Sequence, residues 1–141
     1  MNTRSTILAR TAALLVMLAA LFLAPAAQAQ LVDCTTCDHF TIGASSNLNC
    51  SVTICYTTGA IDICQTVAPG QSIKIPCTAS RVWTFTCSGI HTIYPSSSTA
   101  LCGPALKFED GCCARICTVP STDNCTRLEI QPLPCLTPGC P

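Results

Sequence analysis

The chain has 141 residues, only 10% of them charged, with seven Lys or Arg balanced by seven Asp or Glu, and it carries 14 cysteines. So sparse and balanced a charge leaves no basic cluster of the kind that nucleic acid or an anionic membrane surface requires. The cysteine density marks a disulfide scaffold, which belongs to an oxidising compartment and not to a reduced cytosol.

Residues 1–29 have the layout of a secretory signal peptide: Arg4 and Arg10, an apolar run from Thr11 to Leu23, then Ala27-Gln28-Ala29 as a small-residue cleavage site. The uncharged run is shorter than the ~20 residues that cross a bilayer, and Pro25 follows it. Cleavage predicts a mature chain beginning at Gln30, secreted to an extracellular or periplasmic space and reaching a cell surface only through other partners. All the cysteines lie in that mature part. Removing Arg4 and Arg10 leaves five basic residues against seven acidic ones, a net charge of about −2.

Residues 30–49 read as an N-terminal Cys-rich clasp with one strand near Phe40–Ile42. Cys34-x2-Cys37-Asp38-His39 fits no cofactor. Haem attachment needs His directly after the second Cys, where Asp38 stands; a thioredoxin-like site needs a βαβ setting; zinc needs thiolates that disulfides consume. Cys34 and Cys37 are therefore expected in structural bridges, with no metal and no cofactor.

Residues 50–132 read as the main domain. Cys50, Val52, Ile54 and Tyr56 alternate with Ser51, Thr53, Cys55 and Thr57, the period-two pattern of a half-buried strand. A turn at Thr58-Gly59-Ala60 leads to a second strand through Ile61, Ile63 and Val67, so Cys55 faces Cys64 on the polar side. Ala68-Pro69-Gly70 turns into Ser72–Cys77, where Pro76 marks an edge strand or a strand end. Arg81 and Trp83 then form a tentative binding loop beside Cys77. Val82–Cys87 follows, with Trp83 and Phe85 on one side as a core-filling pair. Ser88-Gly89 turns into Ile90–Tyr94, and 95–111 is expected to be a long loop pinned by Cys102. The spacing Cys50-x4-Cys55-x8-Cys64 recurs as Cys112-x4-Cys117-x7-Cys125 with the same apolar phase, Ala114 and Ile116 then Leu128 and Ile130. That predicts a second, similar hairpin with Cys117 facing Cys125, and it puts Cys50 and Cys112 on the apolar side as candidates for an inter-sheet bridge. Residues 133–141 form a Pro/Cys-rich tail tied down by Cys135 and Cys140.

The expected fold is all-β: a small, disulfide-rich antiparallel sandwich of seven or eight strands with two similar hairpins. Catalytic residues are not expected. His39 and His91 are the only candidates for a base at neutral pH, no nucleophile elbow or metalloprotease motif occurs, and Glu109-Asp110 before Gly111 reads as a turn. The pattern predicts a secreted structural or adhesive surface module that associates with itself through an edge strand or binds an extracellular protein or glycan. The alternative is a protease inhibitor or ligand-binding module presenting a disulfide-braced loop around Arg81.

Overall fold

The computed structural model describes residues 32–96, 100–136 and 140, so the expected signal peptide lies outside the described residues. Nine strands follow in chain order: β1 His39–Ala44, β2 Val52–Thr58, β3 Ile61–Val67, β4 Ser72–Pro76, β5 Arg81–Thr86, β6 Gly89–Tyr94, β7 Leu106–Lys107, β8 Cys113–Val119 and β9 Arg127–Leu133. The described residues hold no helix, and so none long and apolar enough to cross a membrane.

Local chemistry sets the turns. Gly59, at φ +61°, is the first of the two residues joining β2 to β3, the place where a type II′ hairpin requires positive φ. Between β3 and β4, the Gln71 amide donates to the Ala68 carbonyl at 2.9 Å across Pro69 and Gly70, the latter at φ +77°. Proline followed by a left-handed glycine is the type II signature.

The strands form two sheets, ordered β4-β1-β9-β8-β7 and β3-β2-β5-β6. Both supply one core cluster, with Phe40, Ile42, Ile75, Ala114, Ile116, Leu128 and Ile130 from the first and Val52, Ile54, Tyr56, Val67 and Val82 from the second. The period-two pattern explains this division, since alternate residues of each strand point to one face. Thr84 is the fully buried polar exception, and its Oγ1 donates to the Thr53 carbonyl at 2.8 Å, which removes the cost of burying a hydroxyl. Pro76 is the last residue of β4, which is a sheet edge.

Expectations about the strands need correction in three places. The sheets are not wholly antiparallel, because β1 and β9 pair in parallel, Thr41 with Arg127 through Ala44 with Ile130. The segment 95–111 is not only a loop. Within it β7 pairs with β8, the Cys87 amide donates to the Lys107 carbonyl at 2.8 Å, and Thr86 bridges Phe108, so this segment touches both sheets. Trp83 and Phe85 are not the core-filling pair. Register places Trp83 opposite Cys55 and Val82 opposite Tyr56, so Val82 and Thr84 face the core and Trp83 faces outward.

All 14 cysteines are paired. Cys55 joins Cys64 across the first hairpin, with Cα atoms 4.0 Å apart, and Cys50 joins Cys112, linking the residue before β8 to the second residue before β2 and so tying the two sheets together. Cys117 does not bridge Cys125. It pairs with Cys102, while Cys125 pairs with Cys37. The loop explains why: β8 and β9 are separated by seven residues, against two between β2 and β3, so Cys117 falls opposite Glu129 and Cys125 stays in the loop. Cys34 closes on Cys77, and the tail is held by Cys113–Cys135 and Cys87–Cys140.

Candidate functional site

The outer face of the four-stranded sheet carries the most developed side-chain cluster. Arg81 opens β5 and Trp83 follows two residues later, so both project from the same face of a strand instead of standing on a loop beside Cys77. The Arg81 guanidinium carbon lies 5.0 Å from the Trp83 ring centre, a cation–π distance, and Nη2 donates to Thr92 Oγ1 at 3.4 Å. Cys55 and its bridge to Cys64 flank the indole across the strand. Trp83 is only 7% exposed although it lies outside the core cluster. Thr57 and Asp62 continue the face toward β3, hydrogen-bonded through Oγ1 and Oδ1 at 2.7 Å. The result is a hydroxyl-bearing surface built around a clamped indole. Alternation of β5 alone could have located it, had Thr84 and not Trp83 been assigned to the core.

Beside this face runs an open edge. β3 closes one side of the sheet and is exposed at Ile61, Asp62, Cys64, Gln65 and Thr66, with Ile61 66% exposed. The other three edges are blunted. β4 carries Lys74 and ends on Pro76, which has no amide to donate; β6 is broken by a register shift opposite Val82 and Trp83; β7 is two residues long. Along β8, the Leu101–Lys107 segment also takes up outward groups, with the Thr118 amide donating to Leu101 and Gly103 donating to Ile116.

The polar cluster at the start of β1 was the best place for chemistry. His39 Nδ1 donates to Asp38 Oδ1 at 2.7 Å, and its buried Nε2 lies 4.0 Å from Asp123 Oδ2 without a hydrogen-bond partner. Asp123 in turn accepts from Ser121 Oγ and from the Cys125 amide, and these bonds hold its carboxyl below the usual 3.8. The hydrogen bond from His39 does the same for Asp38. Ser121 Oγ is thus directed at Asp123 and not at His39. His39, Asp123 and Cys125 also cluster as potential metal donors, but the Cys125 sulfur is consumed by Cys37. Two remaining donors fall short of the four that a structural zinc site takes.

His91 sits on β6 across from Thr84, half-buried, and burial holds its pKa below 6.5. Glu109 and Asp110 occupy a turn closed by the Gly111 amide on the Phe108 carbonyl at 2.9 Å. An apolar groove of about 260 Å³ lies where Leu106, Lys107 and Cys113 meet Leu133, Pro134 and Leu136 of the tail.

The chain matches no known protein-family model, and no curated protein or solved structure shows significant similarity to it.

Proposed function

We propose that the chain is an exported, disulfide-clamped β-sandwich module whose role outside the cell is structural or adhesive and not catalytic. The observation that carries this reading is the pairing of all 14 cysteines into bridges, five of which span more than 20 residues of sequence. Such a network persists where disulfides form and would be reduced in the cytosol. The leader, residues 1–29, is removed, and the two sheets pack face to face over their shared core. The 30–49 clasp and the 133–141 tail are stapled to the 50–132 body through Cys34–Cys77, Cys37–Cys125, Cys87–Cys140 and Cys113–Cys135. Durability outside the cell explains the staples and the hydrogen-bonded, hydroxyl-rich outer face together. Exposed Arg81, Asp62 and Thr92, laid out over the buried indole, offer that face to an extracellular protein or glycan.

The test is made on protein isolated from its natural source. N-terminal sequencing is expected to begin at Gln30, and non-reducing mass spectrometry to return the seven bridges with no free thiol. Free thiols throughout would remove the proposal. A panel of trypsin-like proteases is expected to run unslowed; inhibition that Arg81→Ala abolishes would establish the inhibitor alternative instead.

A further inference from the structure

We infer that β3 is a self-association strand, through which a second copy of this chain adds antiparallel to the four-stranded sheet in one register. The inference rests on the reading of the chain as a structural module and names the surface by which it assembles. Its starting point is the Cys55–Cys64 pair. In an antiparallel ladder, directly opposed residues alternate between narrow, non-hydrogen-bonded pairs near 4.5 Å and wide, hydrogen-bonded pairs near 5.5 Å between Cα atoms. At 4.0 Å, Cys55 and Cys64 form a narrow pair. Two residues on in either direction the pairing is narrow again, so Thr57–Asp62 and Thr53–Thr66 are also non-hydrogen-bonded.

Asp62, Cys64 and Thr66 therefore turn their amides and carbonyls away from β2, toward the open side of the sheet. No described residue occupies those groups through the backbone. Six main-chain donors and acceptors at a spacing of two residues are a template for one more strand. β3 also lacks the usual protection: its sequence, Ile61-Asp62-Ile63-Cys64-Gln65-Thr66-Val67, has no proline, no lysine and a single charge. The other edges carry such devices, which singles out β3.

A second copy fits because β3 is complementary to itself about Cys64. With Cys64 opposite the partner's Cys64, Asp62 lies across from the partner's Thr66, and the reverse pair repeats it by twofold symmetry. All three outward residues then form hydrogen-bonded pairs. Sliding by two residues in either direction leaves one of the three without a counterpart. Sliding so that Asp62 opposes its own copy sets two like charges face to face. In the centred register the carboxylate meets a hydroxyl, and both Cys64 sulfurs are already oxidised, so no new covalent bond forms.

The oxidised exported protein is examined by light scattering and sedimentation over a wide concentration range. A monomer–dimer equilibrium is expected. Thr66→Asp, on an exposed residue whose amide faces away from β2, places a second carboxylate opposite the partner's Asp62 twice per dimer and is expected to weaken association about tenfold or more. Asp62→Thr combined with Thr66→Asp restores the acid–hydroxyl pairing in this register alone and is expected to recover the dimer. Ile61→Lys, which puts a charge on the edge without touching the ladder, is expected to weaken association independently. A wild-type protein that stays monomeric at every concentration while its seven bridges are intact overturns the inference and leaves the module reading standing. A dimer indifferent to Thr66→Asp and Ile61→Lys, or one that the double variant does not recover, overturns it as well.

Discussion

At His91 a single ring couples the sheet to the proton concentration. Burial disfavours the imidazolium, so its pKa in the folded chain lies below the ordinary 6.5. In the window just below 6.5 the unfolded chain therefore binds more protons than the folded one, and stability falls as the medium is acidified through that window. Asp33, Asp38 and Asp123 act lower down. Hydrogen bonds from Thr35, His39 and Ser121 respectively depress their pKa values, so their contribution is present above 3.8 and is lost as pH falls further. Urea titrations are expected to show a loss of stability on acidification just below about pH 6.5 that His91→Gln removes, leaving the acid limb below about pH 4 in place. An unchanged slope in the variant would assign the upper window to another group. Trp83 makes a different point at the same scale. Its size argued for the core, yet its position in the alternation put it outside, where Arg81, Thr92 and the Cys55–Cys64 bridge bury it almost as well.

Among the elements, the first hairpin was legible to the register and the second only to the face. Val52–Thr58 and Ile61–Val67 alternate cleanly around a glycine turn whose length is fixed by the φ that Gly59 supplies, so Cys55 had one partner available. In the second copy the apolar phase held, with Ala114, Ile116, Leu128 and Ile130 all buried. Its register did not, because cysteine spacing counts residues along the chain and does not reveal how many of them the turn consumes. The residues expected to turn, Pro120–Asn124, are joined in the loop by Cys125 and Thr126. The Asp123 carboxylate caps the Cys125 amide and Asn124 adopts φ +60°, which presents Cys125 to Cys37. The parallel β1–β9 pair and the short β7 were illegible for a related reason, since both depend on which distant segments meet. The hairpin bridge closes 9 residues of separation and Cys37–Cys125 closes 88. Loop entropy assigns these about 2.7 and about 4.6 kcal/mol as upper values, because the remaining bridges shorten the open loop. Replacing Cys37 and Cys125 together by serine is accordingly expected to cost more in denaturant midpoint than replacing Cys55 and Cys64 by alanine and valine.

For the molecule as a whole, the two sheets are assembled from very different stretches of chain. The four strands of β3-β2-β5-β6 all lie within 52–94, interrupted only by β4 of the other sheet, with each strand close in sequence to a neighbour. The five-stranded sheet has β1 and β9 side by side at its middle, separated by some eighty residues. Closing so long a loop is entropically slow compared with closing a hairpin. Under the proposed export, a polypeptide threaded through a translocon with its amino end leading would deliver 52–94 to the far side while 127–133 is still inside. The four-stranded sheet would have all its partners at that moment, and the five-stranded sheet would wait for β7, β8 and β9 to arrive. Alkylation of nascent protein at successive times is expected to trap Cys55–Cys64 in the earliest species and Cys37–Cys125 only after release. Under that export, emergence as well as composition would set the order in which sulfur is oxidised, and a chain stalled in transit would carry one finished ribbon and an amino-terminal clasp fastened at Cys34–Cys77 but still open at Cys37.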